Sequence, residues 1–400
     1  PASGTAGAMP AGASGSRAMA GTTAPPPSAA GTAAPAGASG GAAGSAGAAG
    51  GGAGMAGNDP GCSDMCRVAK GVPWSCKQRF MYGLNYAWHT FAADFGGNKA
   101  WSQPGVSGEP AVETDLAAMA AGGAQTLRWW LWPDFRGDGV TFDASDTPTG
   151  LGGTALADVA RALELAEKHD LYLMLTLFSF DNFRATRMES TLKVRGIKPI
   201  VTDAAKRRAL LDSVVAPLAR AVEASPHKQR MIAWDMINEP EWAIEGPSLY
   251  GGDPVFDPQK DLEPVSHAQM EAFLRETLET LRANSKAMVT VGATAFKWKS
   301  AWSKLDLDFH QFHMYDWINM YWPYDRPPMS YMLDDKPVVM GEFPLTGLSG
   351  VSYEKLLQSW FGNAYAGALG WAFTDPMFSG NRNLMDVKAF AGAHACETRY

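Results

Sequence analysis

The feature that most restricts the fold of this chain is an eightfold alternation, from about residue 80 to the end, between apolar runs of strand length and amphipathic helical stretches. Strand-like runs read at 80–86, 125–131, 171–178, 231–237, 287–291, 309–315, 337–340 and 368–373. Helical patterns read at 112–121, 155–168, 204–224, 266–283, 353–365 and 384–395, with short helices between the fifth and seventh runs and a long irregular insertion from 179 to about 201. Strand and helix in alternation imply a parallel sheet with right-handed crossovers. Eight such units are the count of a closed (β/α)8 TIM barrel. The competing arrangement, an open doubly wound sheet, wants a Gly-rich phosphate turn after its first strand; the stretch Gly83-Leu84-Asn85-Tyr86 is not one.

A barrel of this kind carries its chemistry on the C-terminal ends of its strands. Two of those ends share a design: the fourth run closes in Asn238-Glu239-Pro240 and the seventh in Gly341-Glu342-Phe343-Pro344. In each, a buried strand delivers a carboxylate, and a proline without an N–H ends the ladder. Glu239 and Glu342 are therefore expected to face one cleft. The other strand ends supply Asn85 and Trp88 (first), Arg128 and Trp130 (second), Phe180 and Asp181 (third), Asn238 (fourth), His313 and Tyr315 (sixth) and Trp371 (eighth). Two carboxylates suit acid/base and nucleophilic work, Arg, His, Tyr and Asn suit orienting them, and indole faces suit stacking on sugar rings. Plainer readings exist for several of these. Arg128 could simply pair with a core carboxylate such as Asp235, His313 and Tyr315 are compatible with simple burial, and a large aromatic such as Trp371 is often core. Six tryptophans gathered at one end, Trp88, Trp130, Trp132, Trp242, Trp317 and Trp322, nevertheless favour a sugar cleft walled by the loops 89–111, 133–153, 179–201 and 241–264. Asp181 and His89 are further possible substrate contacts.

On Asn238-Glu239-Pro240, Gly341-Glu342-Phe343, His313-Met314-Tyr315, Arg128 and Trp371, each at its expected strand, the sequence resembles the retaining glycoside hydrolases of clan A, and among them family 5, the cellulase and mannanase group. The resemblance spans roughly residues 78 to 390. It implies that Glu239 is the acid/base and Glu342 the nucleophile. One departure stands out: many members carry a His at the end of strand three, where this chain reads Phe178-Ser179-Phe180-Asp181. The chemistry sets further expectations. Glu342 must be ionised, with Arg128 and Tyr315 holding its pKa down. Glu239 must keep a proton near neutrality, raised by the charge of Glu342 and a partly apolar wall. A retaining pair lies about 5–5.5 Å apart. Asn238 is expected on the sugar 2-hydroxyl, His313 beside Glu239 or a substrate hydroxyl, Trp371 as the floor of the central sugar site, and Asn85 and Trp88 as further substrate-binding residues.

Composition divides the chain. Residues 1–58 are almost entirely Ala, Gly, Ser, Thr and Pro, with one charge (Arg17) and no aromatic, too little apolar surface to offset ordering entropy. They read as a disordered tether; a silk-like stack is disfavoured by the interspersed prolines. A cysteine-containing lead-in follows at 59–78, then the catalytic barrel at 79–400. The four cysteines, Cys62, Cys66, Cys76 and Cys396, fit no zinc pattern and suit an oxidising compartment. They allow three pairings, and barrel closure favours Cys396 reaching back to this cluster, with Cys76 as its neighbour.

A net charge of -7 gives no support to nucleic-acid binding, and no apolar run reaches the length of a membrane span. There is no Gly-Lys phosphate loop and no Gly-x-Ser-x-Gly elbow outside the tether. His310 and His313 fall on opposite faces of one strand, and Asp253, Asp257 and Asp261 lack the Gly and Glu of a calcium loop, so neither a metal nor a cofactor is expected. The expectation is a monomeric, secreted or surface-tethered retaining enzyme cutting a β-linked polysaccharide, mannan or glucan, from within the chain. The alternatives are a catalytically silent carbohydrate-binding protein and a transglycosylase.

Overall fold

The computed structural model describes residues 64–375 and 384–400; the expected tether and Cys62 lie outside them. Eight strands close into a barrel: β1 (Met81–Asn85), β2 (Thr126–Trp130), β3 (Tyr172–Ser179), β4 (Met231–Asn238), β5 (Met288–Ala293), β6 (His310–His313), β7 (Val338–Glu342) and β8 (Gly367–Gly370). Each pairs in parallel with its sequence neighbours, and β8 closes on β1. This is the (β/α)8 architecture expected from the alternation.

Two expected boundaries shift for local reasons. The sixth and eighth strands are shorter than their apolar runs, because the residues beyond His313 and Gly370 leave the ladder to form the upper rim. The helical stretch 204–224 is continuous but widens to a π-type turn at Leu211–Val215. Pro217 follows two residues later, and a wider turn accommodates a residue that has no N–H and crowds the carbonyl four residues back. Within the long third insertion, Arg187–Glu189 and Leu192–Val194 form a small antiparallel hairpin.

The lower half of the barrel interior is apolar, with Met81, Met174, Ile232, Met288, Val339 and Leu369 packed together. The bottom is sealed by a hairpin, Val72–Trp74 against Lys77–Arg79, and by the C-terminus. Phe80 N–H donates to the Glu397 carbonyl (2.9 Å), Arg79 Nε to that of Arg399 (2.7 Å), and Tyr400 Oη to that of Val72 (3.2 Å).

This seal settles the partner of Cys396, which the sequence left open. Cys396 does reach back to the N-terminal cluster, but its partner is Cys66, with Cα atoms 5.2 Å apart. Cys76 is engaged in a disulfide of its own. The reason is the hairpin. Ser75 and Cys76, both at positive φ, form its exposed turn, so the strand that meets the C-terminus lies past Cys76. Meanwhile Val68 N–H donates to the Gln78 carbonyl (2.9 Å) and Asp64 accepts from Gln78 N–H (3.0 Å) and Arg79 (2.6 Å), which lays the segment around Cys66 alongside. The bridge spans 330 residues of chain, so Cys66→Ser should lower unfolding free energy by about 2–5 kcal/mol, while turnover at room temperature persists. Chemical denaturation followed by far-UV circular dichroism measures this; an unchanged midpoint would contradict it.

Candidate active site

Above the apolar floor the barrel interior turns polar, and one side chain organises it. Arg128, on β2, is fully buried. Its Nε donates to Asp235 Oδ2 (2.8 Å), Nη1 to Asn85 Oδ1 (3.0 Å) and Glu342 Oε1 (2.6 Å), and Nη2 to Asn238 Oδ1 (2.8 Å). The guanidinium thus ties β1, β2, β4 and β7 together at the level of the strand ends. A buried cation requires such partners, because its desolvation is otherwise prohibitive. Asp235 sits one layer lower and also accepts from Gly292 N–H (2.8 Å), Thr176 Oγ1 (3.0 Å) and Gln311 Nε2 (3.3 Å). The two readings of Arg128, core partner of Asp235 and support of Glu342, are both realised.

Glycine makes room for this layer. A Cβ on Gly292 would stand 2.7 Å from Arg128 Nη2, and one on Gly341 would stand 2.4 Å from Gln311 Cγ. Asn85 is held in turn, its Nδ2 donating to the carbonyls of Gly341 (2.8 Å) and Leu369 (3.1 Å).

The two glutamates end β4 and β7 as expected from the sequence. Pro240 opens a one-turn helix, Pro240–Ala243, so the ladder stops at Glu239. Glu239 itself adopts φ 48°, ψ 50°, a left-handed conformation unusual for a non-glycine residue and often found at functional positions. Its N–H donates to the Gly292 carbonyl (2.6 Å), which fixes the turn. One oxygen from each carboxylate and a nitrogen of His313 all lie within 4.8 Å of one another.

The carboxylates have different partners. Glu342 accepts from Arg128 and, on Oε2, from Tyr315 Oη (3.0 Å). Glu239 Oε1 meets His313 Nδ1 (2.7 Å), and Oε2 accepts from the indole N–H of Trp242 (2.9 Å). Burial pushes Glu239 up to about 7; the Asp181 charge adds to this, while Trp242 and Arg128 oppose it. For Glu342 the expected depression does not occur. Burial outweighs the favourable charge of Arg128, and the Glu239 carboxylate adds to the rise, so its pKa lies above the ordinary glutamate range. Burial, reinforced by the Arg128 charge, drops His313 to about 4, so its ring is neutral near pH 7. His313 Nε2 has no hydrogen-bond partner among the described residues. The tautomer with its proton on Nδ1 therefore fits best: Nδ1–H donates to Glu239, and the buried Nε2 is a lone pair rather than a stranded donor.

Trp371 and Trp88 lie in an adjoining aromatic cluster with Trp130, whose ring centroid is 5.4 Å from those of both. Arg128 lies over the Trp130 ring (5.5 Å), and Trp371 Nε1 donates to Asp375 (3.1 Å). Trp132 instead belongs to the core, donating to the Phe95 carbonyl (3.0 Å). Asp181 is buried at the end of β3, 3.2 Å from Arg184 Nε, and burial raises it to about 6. His89 pairs with Asp115 on the first helix (3.0 Å). Trp242 was visible only as one rim tryptophan among six. Asp235 carried a clearer signal, since a lone acid inside an apolar strand must find a buried partner.

Removing Asp235 leaves the Arg128 charge short of its deepest partner, so Asp235→Ala should cost roughly 3–5 kcal/mol of stability. Gly292→Ala should displace the guanidinium and lower activity more than a typical surface change. Urea unfolding alongside turnover checks both; near-wild-type stability in Asp235→Ala would contradict the first.

No protein-family model matches the chain. It is 26% identical over 340 residues to a mannan endo-1,4-beta-mannosidase of Mytilus edulis, covering 77% of this chain and 87% of that one. It is 24% identical over 337 residues to the enzyme of the same name from Cryptopygus antarcticus, covering 74% and 80%. The crystal structure of the Mytilus edulis β-mannanase superposes with a TM-score of 0.62 at 24% identity, over 78% of this chain and 92% of that one. The resemblance carried by the strand ends thus extends through the barrel: this chain is similar in sequence and in fold to the family 5 glycoside hydrolases of clan A, β-mannanases among them.

Proposed function

We propose that this chain hydrolyses β-1,4-linked mannan from within the polymer, by double displacement, with Glu342 as nucleophile and Glu239 as acid/base. The observation that carries the reading is the separation of the two carboxylates, whose nearest oxygens are within 4.8 Å. A retaining pair needs about 5–5.5 Å, whereas an inverting pair stands about 6.5–9.5 Å apart to admit a water. The names of the sequence relatives support mannan as the polymer.

In the first step Glu342 attacks the anomeric carbon while Glu239 gives its proton to the departing glycosidic oxygen. Arg128 and Tyr315 fix the orientation of the attacking carboxylate, and neutral His313 steadies the acid without competing for its proton. Once Glu342 is esterified, its negative charge is gone. Glu239, now anionic, takes a proton from water, whose oxygen attacks the anomeric carbon and frees Glu342. Asn238 would meet the sugar 2-hydroxyl, Trp371 and Trp88 would present their rings to the sugar, and Asn85 would act mainly by holding Arg128. Disulfide bonding and a polymeric substrate favour a secreted or surface-held protein; among the described residues no helix is long and apolar enough to cross a membrane. No particular observation favours a silent binder or a transglycosylase.

Three measurements test this. On soluble mannan, Glu239→Gln should lose about 10²–10⁴-fold in turnover and Glu342→Gln its measurable activity, with folding retained in both. NMR of the first-formed product should show the β-anomer; an inverted anomer would falsify the nucleophile assignment. The pH profile of kcat/KM should be bell-shaped. Glu239 acts while protonated, so activity falls as pH rises through about 7. Glu342 acts while ionised, so activity falls as pH drops through its own elevated value. A flat profile between pH 5 and 9, a window of about two units either side of neutrality, would contradict these roles.

A further inference from the structure

The Trp242 indole N–H is aimed at the one oxygen of Glu239 that His313 does not hold. It donates to Oε2 at 2.9 Å, while His313 Nδ1 sits at 2.7 Å from Oε1. The indole is also fixed from several sides. Its backbone lies in the turn that follows Glu239, with Trp242 N–H on the Glu239 carbonyl (3.2 Å) and its own carbonyl accepting from Gln259 N–H (3.0 Å). The preceding residue, Glu241, is a fully buried carboxylate that accepts from Thr294 N–H (3.0 Å), Thr294 Oγ1 (2.8 Å) and Trp302 Nε1 (2.7 Å), which clamps the turn to the loop after β5. The ring itself stands between Trp298 (5.8 Å) and Trp317 (5.9 Å).

We propose, on the reading given above, that Trp242 is a positioning residue for the acid/base carboxyl: its N–H fixes the rotation of Glu239 and favours the anion that must form when the proton is delivered. An indole N–H can donate but never accept. It therefore cannot take the acid proton, and it becomes a stronger partner as Oε2 gains charge. The other groups facing Glu239 do different work. Arg128 lies deeper and lowers its pKa by charge, Asp181 raises it from the β3 side, His313 is neutral, and Glu342 and Tyr315 face it from β7 and the rim after β6.

The test is Trp242→Phe, which keeps a ring and removes the donor. Should the smaller ring unsettle the fold, the isosteric benzothienyl analogue at position 242 removes the N–H alone. Two substrates are compared: a mannooligosaccharide, whose sugar leaving group needs an acid, and an aryl mannobioside whose dinitrophenolate leaves without one. The variant should lose roughly five- to tenfold in kcat/KM, which reports the glycosylation step alone, on the oligosaccharide and little on the aryl glycoside. The alkaline limb of its oligosaccharide kcat/KM profile should move to higher pH, because a bond that favoured the anion is gone. An unmoved limb with equal losses on both substrates overturns the proposal while leaving the glycosidase reading intact. A wild-type chain inactive on both substrates, or a Glu239→Gln variant whose kcat/KM is equally impaired on both, overturns the reading and the proposal together.

Discussion

One buried cation holds this site in register. Arg128 is reached by Asp235 from below and by Asn85, Asn238 and Glu342 from above, so four strands meet on a single planar group. Such an ion costs several kcal/mol to desolvate, and only a complete set of partners offsets that. The arrangement sets the shape of its surroundings. Gly292 and Gly341 are glycines because side chains there would collide with this polar layer. Asn85 spends its amide on the backbone of β7 and β8, and so presents its oxygen to the guanidinium.

From that support follows the asymmetry of the two glutamates. Both are buried, and burial raises both. What separates them is what each touches. Glu342 receives a charged donor and a phenol, partners that fix an anion in place. Glu239 receives a neutral imidazole and an indole, partners that steady a carboxyl without demanding its ionisation. Two groups of the same type, close enough to span one sugar carbon, can thus take opposite roles in the proposed reaction. The departure at the end of β3 belongs to the same balance. Asp181 closes the stretch Phe178-Ser179-Phe180-Asp181, and its charge adds to the rise of Glu239.

Much of this was legible in the chain because barrels impose a rule on strand ends. The alternation of elements specified closure, and the matched endings Glu239-Pro240 and Glu342-Phe343-Pro344 pointed to the carboxylates that would converge. Arg128, His313 and Tyr315 could be placed by strand number alone. What escaped were facts of side-chain reach and local reversal. Trp242 donates to Glu239 only because a left-handed residue and a tight turn swing the loop back over the site, and one-dimensional spacing carries no mark of that geometry. The elevated pKa of Glu342 was missed because counting donors gives no measure of how thoroughly the cleft excludes water. The partner of Cys396 within the N-terminal cluster stayed open in the sequence because it is set by hydrogen bonds to Gln78 and Arg79 that lay Cys66 beside the C-terminus.

The central claim is that β7 presents a nucleophile which becomes covalently bound to sugar. The most direct measurement is intact-mass and peptide mass spectrometry of the protein after inactivation by an activated 2-deoxy-2-fluoro mannoside, whose glycosyl-enzyme turns over slowly. The account requires one adduct per chain, on the peptide carrying Glu342. An adduct on Glu239, or a chain that consumes mannan yet never acquires a covalent sugar, would contradict it.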